Sequence, residues 1–161
     1  MGVVLYWAGK KDVQDLVSMD REANNENPGW MLQSAKEFSS VIRKSKYLTI
    51  IARAGGKPAG YLQSGLKNNK KHMWIENVIV LDEFRRKGIA RMMVNKFVNH
   101  WKSKIDHIVL ITEDRNIGVF RALGFEKEMN FMGYKHSRGK RRMRMRSWKR
   151  GSPRSLPGRH L

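Results

Sequence analysis

The sequence predicts an α/β fold built on one mixed sheet, and three observations carry that prediction. Short β-branched and aromatic runs, separated by tight turn sequences, fill the middle of the chain as antiparallel hairpins do. Two stretches with apolar residues three and four apart precede them, as expected of helices with one buried face. The later elements alternate strand, helix, strand, helix, which is the order of crossover connections.

Taken in order, Val3–Trp7 reads as a first strand. Lys11–Met19 carries Val13, Leu16, Val17 and Met19 on one helical face, and the cluster Asn24-Asn25-Glu26-Asn27-Pro28-Gly29 then predicts a loop. Ala35, Phe38, Val41 and Ile42 mark a second helix. Tyr47–Ala52 and Ala59–Leu66 are strands joined by Gly55-Gly56-Lys57-Pro58, and Asn68-Asn69-Lys70 turns the chain into the strand His72–Leu81. A helix from Ile89 to about Lys102 follows, with Ile89, Met92, Met93, Phe97 and Trp101 at helical spacing. Ile105–Ile111 is apolar enough to predict a strand covered on both faces. Asn116–Leu123 reads as a short helix closed by Gly124 at C′. Phe125–Tyr134 and Arg141–Trp148 would form a last hairpin, completing one domain over residues 1–150. Residues 151–161 lack periodicity and read as a flexible tail, natural or left from an expression vector.

Composition narrows the chemistry. With 161 residues, 40% of them hydrophobic, the chain can bury one sizeable core. Cysteine is absent, which removes a thiolate nucleophile, a disulfide framework and any Cys-based metal site. His72, His100, His107, His136 and His160 lack metal-ligand spacing, so no metal is expected. No apolar run is long enough to span a membrane, and the first residues lack signal-peptide character, so a cytoplasmic location is the default. The charge is strongly positive, 33 Lys+Arg against 14 Asp+Glu. From Lys135 to Leu161 there are 11 basic and no acidic residues, which leaves 22 against 14 elsewhere. Such an excess attracts polyanions, or merely keeps the chain soluble near an anionic cofactor.

The chemistry centres on the step from the third hairpin strand into a helix. Arg85-Arg86-Lys87-Gly88-Ile89-Ala90 places a glycine at the tightest point, where several backbone N–H groups and the helix dipole converge on one spot. The physics points to an anion site, most naturally for a diphosphate. A basic helix start that binds nothing is the alternative.

The segment Val80–Ala90 resembles the acyl-CoA signature of the GNAT superfamily of N-acetyltransferases: Gln or Arg, two residues, Gly, one residue, then Gly or Ala. Val119-Phe120-Arg121-Ala122-Leu123-Gly124-Phe125 is similar to that family's later helix and Gly-Phe corner. The resemblance implies a mostly antiparallel mixed sheet flanked by helices on both faces. It also implies acetyl-CoA, or another acyl-CoA, as co-substrate. Its diphosphate would lie on the amides of Arg86–Ala90 beside Arg85, and its pantetheine along Val78, Ile79 and Val80, where the sheet would splay. Asn116 and Phe120 would complete the coenzyme site. The implied reaction moves an acetyl or short acyl group directly to a primary amine in a ternary complex.

Such a transfer needs a base for the amine, a donor to the developing oxyanion and a way out for the thiolate. The backbone N–H of Val80 is the family-implied donor. Glu76 is the candidate base: by simple alternation it shares the face of Val78 and Val80. Its alternative roles are to balance Lys70 and Lys71 or only to position a cationic acceptor. The family commonly has Tyr where this chain has Phe120, which holds no proton to give. Tyr134 is a possible substitute or an ordinary strand aromatic.

For the acceptor, an unidentified small-molecule or protein amine, Trp30, Glu22 and Glu26 would make an aromatic, acidic wall, unless that loop is simply solvated. Arg142, Arg144 and Arg146 alternate with Met143, Met145 and Ser147, giving a basic strand face open to two readings. One is contact with nucleic acid or a nucleoprotein; the other is an edge protected against aggregation. A monomer or a homodimer is compatible with the sequence.

Overall fold

The computed structural model describes residues 2–26, 28–29, 32–67 and 72–128. Met1–Lys127 forms one compact unit; of the other, Glu128–Leu161, only Glu128 is among the described residues.

Five strands, β1 (Val3–Trp7), β2 (Thr49–Ala54), β3 (Lys57–Lys67), β4 (His72–Val80) and β5 (His107–Leu110), lie side by side in chain order. The first three pairings are antiparallel and β4–β5 is parallel. The sheet is therefore mixed and mostly antiparallel. The parallel pairing requires a crossover, supplied by α3 (Ile89–Trp101).

The two faces can be followed across the strands. Tyr6, Ile51 and Tyr61 are cross-strand partners, as are Trp7, Ile50 and Leu62. The hydroxyl of Tyr61 donates to Asp20 of α1 (Val13–Glu26), and its ring meets Phe38 of α2 (Ala35–Lys44). Trp7, on the opposite face, meets Phe97 of α3. Helices α1 and α2 thus cover one face and α3 the other, with Leu16, Met19, Phe38, Met93 and Phe97 buried against the sheet. Each helix hides an apolar stripe that its spacing marks, except that Met92 of α3, counted in that stripe, is 40% exposed.

Local chemistry sets the helix ends. Ser34 and Glu37 cap α2 reciprocally: the Ser34 hydroxyl accepts from the Glu37 amide, and the Glu37 carboxylate accepts from the Ser34 amide. Asp20 is buried, yet its carboxylate accepts from Tyr61 at 2.6 Å and from the Gln33 amide at 2.7 Å. Burial, helped by Asp20, holds the Tyr61 hydroxyl well above the usual tyrosine range. The proton stays on tyrosine, and the carboxylate remains the acceptor.

The last helix, α4 (Ile117–Arg121), closes as its sequence predicts. Phe125 N–H donates to the Phe120 carbonyl at 3.1 Å, Gly124 N–H donates to Arg121, and the rings of Phe120 and Phe125 meet edge-on. This is the bonding of a Schellman close, with the left-handed residue at Gly124 (φ 88°). A Cβ there would meet nothing within 4 Å, so its cost is purely conformational. Gly124→Ala should therefore destabilise by about 1–2 kcal/mol, read as a lower urea midpoint with unchanged slope.

Three elements differ from expectation. Helix α1 continues through Asn24 and Asn25 to Glu26, well beyond Met19. Strand β5 is only four residues long and each is half-buried, so the double cover expected of it is not met among the described residues. Phe125–Glu128 carry no strand, and the rest of the expected final hairpin lies outside the described residues.

Candidate active site

The turn between β4 and α3 presents a row of open amides. Phe84 and Ile89 are buried and anchor its two ends, while Arg85 to Gly88 stay exposed. Gly88 caps the helix in the left-handed region (φ 76°) and Arg86 shares that conformation (φ 60°). The first bond of the helix ladder runs from Met92 N–H to the Gly88 carbonyl. Among the described residues no acceptor takes the N–H groups of Arg86, Lys87, Gly88, Ile89, Ala90 or Arg91. A helix start always leaves such donors, and here the preceding loop adds to them. A Cβ at Gly88 would meet nothing within 4 Å among the described residues.

The next feature is an open edge. Strand β5 pairs with β4 only from His72 to Ile75, opposite His107 to Leu110. Beyond Ile75 the side of β4 away from β3 has no strand beside it among the described residues. Leu81 N–H donates back to Ala59 of β3. Backbone groups alternate along a strand, so the N–H and C=O of Val80 face the open side, and those of Val78 do likewise. Arg85 Nε takes the Val80 carbonyl at 2.9 Å, which leaves the neighbouring N–H directed into the gap.

A β-bulge lies at the point of divergence. Gln63 pairs with Asn77 but Ser64 pairs with Ile75, so Glu76 is an extra residue in β4. A bulge bends its strand and raises the local twist, which accounts for β5 parting company there. It also shifts the alternation. Tyr61, Gln63 and Gly65 point toward α1 and α2, and a Cβ built on Gly65 would lie 2.8 Å from Glu76 Oε1. Glu76 therefore occupies the α1–α2 face, whereas Val78 and Val80, opposite Leu62 and Gly60, occupy the α3 face. The expectation that Glu76 shares a face with those valines fails, because simple alternation does not survive an inserted residue.

The sequence profile of the Acetyltransferase (GNAT) family matches residues 12–125. The chain belongs to that family. No curated protein sequence matches it. Solved GNAT structures superpose on it at low identity. A diaminobutyrate acetyltransferase from Paenibacillus lautus, solved with its substrate and coenzyme A, has a TM-score of 0.64 at 19% identity, over 76% of this chain and 74% of that one. Glucosamine-6-phosphate N-acetyltransferase from Arabidopsis thaliana gives 0.63 at 16%, over 84% and 99%. An aminoglycoside acetyltransferase from an uncultured soil metagenomic sample gives 0.66 at 14%, over 83% and 96%.

Within this GNAT domain, the residues singled out from sequence fall into three groups. Arg86, Gly88 and Ala90 join the open amide row, as does Ile89 through its amide alone, its side chain being core. Val78 and Val80 line the open edge. Ile79 is a correction: it is buried, paired with Tyr61, with its carbonyl against Gly60, so it belongs to the core and not to the gap. Asn116 is exposed at the start of α4 with no capping bond, and Phe120 packs on Phe125. Trp30, Lys70, Lys71, Tyr134, Arg142, Arg144 and Arg146 lie outside the described residues.

Two cations thought to enrich the loop are already engaged. Lys87 folds back, its ammonium donating to the Glu83 carbonyl and lying over the Phe84 ring. Arg85 forms ion pairs with Asp82 and with Glu26, the latter at 3.1 Å. Glu26 also accepts from the Asp82 amide at 3.2 Å. Glu26 is therefore a latch from α1 to the loop, and Glu22 is exposed. Sequence reasoning missed this latch because 59 residues separate the partners. Glu26→Gln should speed hydrogen exchange of the Asp82 amide about tenfold, equivalent to about 1.4 kcal/mol of lost charge-assisted bonding.

Proposed function

We propose that the protein is an acyl-CoA-dependent N-acetyltransferase that moves an acetyl or short acyl group to a primary amine by direct transfer. The observation that carries the reading is the set of amides from Arg86 to Arg91 at the head of α3 that no acceptor takes among the described residues, beside a stretch of β4 that no described strand pairs. Converging N–H donors at a helix start suit a diphosphate, and an extended strand edge suits the amide-bearing pantetheine arm.

When bound, the co-substrate supplies an activated thioester. The Val80 N–H, directed into the gap, is the donor for oxygen charge that builds on the acyl carbonyl. Glu76 lies on the other face of the same strand and takes the proton of the incoming amine, directly or through one water. The acceptor then approaches from the α1–α2 side while the coenzyme stays on the loop side. Phe120 has no proton to offer the departing sulfur, so on this reading thiolate leaves to solvent. With no cysteine in the chain, the route does not pass through an enzyme thioester.

Calorimetry with acetyl-CoA, followed by free-thiol release over a panel of small amines and peptides, tests the reading. Binding heat together with amine-dependent thiol is the expected result. Absence of heat with any acyl-CoA would overturn it.

A further inference from the structure

Away from the cleft, two sequence segments meet in a cluster that coenzyme binding does not use. Tyr47, between α2 and β2, stacks on His100 of α3 with ring centres 4.2 Å apart and planes 28° apart. Trp7 closes edge-on against both, at 5.4 Å and 5.0 Å. Trp101 stands perpendicular to His100, and its indole N–H donates to the Tyr47 carbonyl at 3.0 Å. These contacts hold Tyr47 against His100 and Trp101 beside Trp7 of β1, the edge strand separated from β4 by β2 and β3.

Lysines crown these rings. Lys46 lies 4.8 Å from the Tyr47 centroid, Lys96 lies 5.8 Å from that of Trp7, and Lys104 reaches both Tyr47 and Trp101 at 5.9 and 5.8 Å. Arg43, Lys44 and Lys102 complete six basic residues in the segments 43–48 and 96–105, which contain no Asp or Glu. Among the described residues, no ion pair engages any of them. Burial, then the charges of Lys104 and Lys96, lowers the pKa of His100, so the local field is positive where the aromatic rings gather. The four rings are half-buried and Lys46 and Lys104 are exposed.

We infer that this aromatic and basic surface binds single-stranded nucleic acid, with phosphates on Lys46, Lys96 and Lys104 and a base against the Tyr47–Trp101 rim. An uncompensated cationic field selects a polyanion. The ammonium groups of Lys46, Lys96 and Lys104 now cover these rings; as they turn to phosphate they uncover aromatic faces that a duplex cannot use but on which unpaired bases stack. An acidic polypeptide would satisfy the charges but would leave those faces unused.

The test is anisotropy of a labelled oligothymidylate with the full chain over a salt series. The chain carries many other cations, so the comparison is between two triple variants, Lys46→Gln/Lys96→Gln/Lys104→Gln and Lys10→Gln/Lys11→Gln/Lys57→Gln. Each phosphate contact on a single strand contributes about 0.7 to the slope of log affinity against log salt, so the first triple should be shallower by about 2 and the second unchanged. Tyr47→Leu should weaken binding about tenfold with the slope retained, as expected when stacking is lost without a charge. Equal slopes in the two triples would overturn the inference, as would absence of binding. Tighter binding of duplex, or equal competition by polyglutamate, would also overturn it, assigning the surface to another partner. Acetyl transfer assayed on the same variants is independent of every one of these outcomes.

Discussion

Glu76→Gln should lower the turnover of acetyl transfer by about 10²–10³-fold while leaving coenzyme affinity within about twofold. The change keeps size and removes the basic oxygen. Glu76 projects toward α1 and α2, away from the face of Val78 and Val80, so the coenzyme side of β4 is untouched. Stopped-time thiol release at saturating coenzyme, alongside calorimetry, separates the two quantities. If turnover is unchanged, Glu76 takes no proton. If affinity collapses with it, the carboxylate holds the strand in shape and its role is structural.

A second large effect is expected at Gly60. A Cβ there would lie 2.3 Å from the Ile79 carbonyl oxygen and 3.1 Å from Val80 Cα, both rigid backbone atoms. No side-chain rotation relieves that clash, so β3 and β4 must separate where Val80 faces the gap. Gly60→Ala should cost about 3 kcal/mol of stability, at the upper end for overpacking. Coenzyme affinity of the remaining folded protein should fall about tenfold as well. Denaturation midpoints and calorimetry below the transition check the two claims. Gly124→Ala, strained by its backbone alone (φ 88°), is the matched control for the loss of stability. An unshifted midpoint for Gly60→Ala would show that the strands have room to spare.

Much of this architecture was legible from short-range pattern. The spacing of Leu16, Met19 and Phe38, the Gly55–Gly56 turn and the arginine–glycine step before α3 each depend on neighbours a few residues away. What escaped was set by partners distant in sequence. Asn24 and Asn25 are poor helix residues and read as a break, yet α1 continues through them to Glu26, where Arg85 and the Asp82 amide hold it. Tertiary capture overrides weak propensity there. Ile105–Ile111 read as a strand covered on both faces, but its pairing stops where β4 bends, and only His107–Leu110 remain in the ladder. The candidate site divides the same way. The amide row was visible as a motif, while the face on which Glu76 lies was not, since hydropathy along β4 contains no mark of an extra residue. The misassigned Ile79 has a different source: a strand edge was read as three consecutive residues, although only alternate ones turn their backbone outward.

That extra residue has a consequence for chain length. Remove Glu76, and Ile75 would sit opposite Ser64 with Asn77 opposite Gln63 in an unbroken ladder, every neighbour retained. The strand would then run straight, with no bend to part it from β5, and the slot would have reason to zip shut. An open strand edge and a sealed sheet are thus one codon apart, and a shortened chain would keep its whole interior while losing that edge.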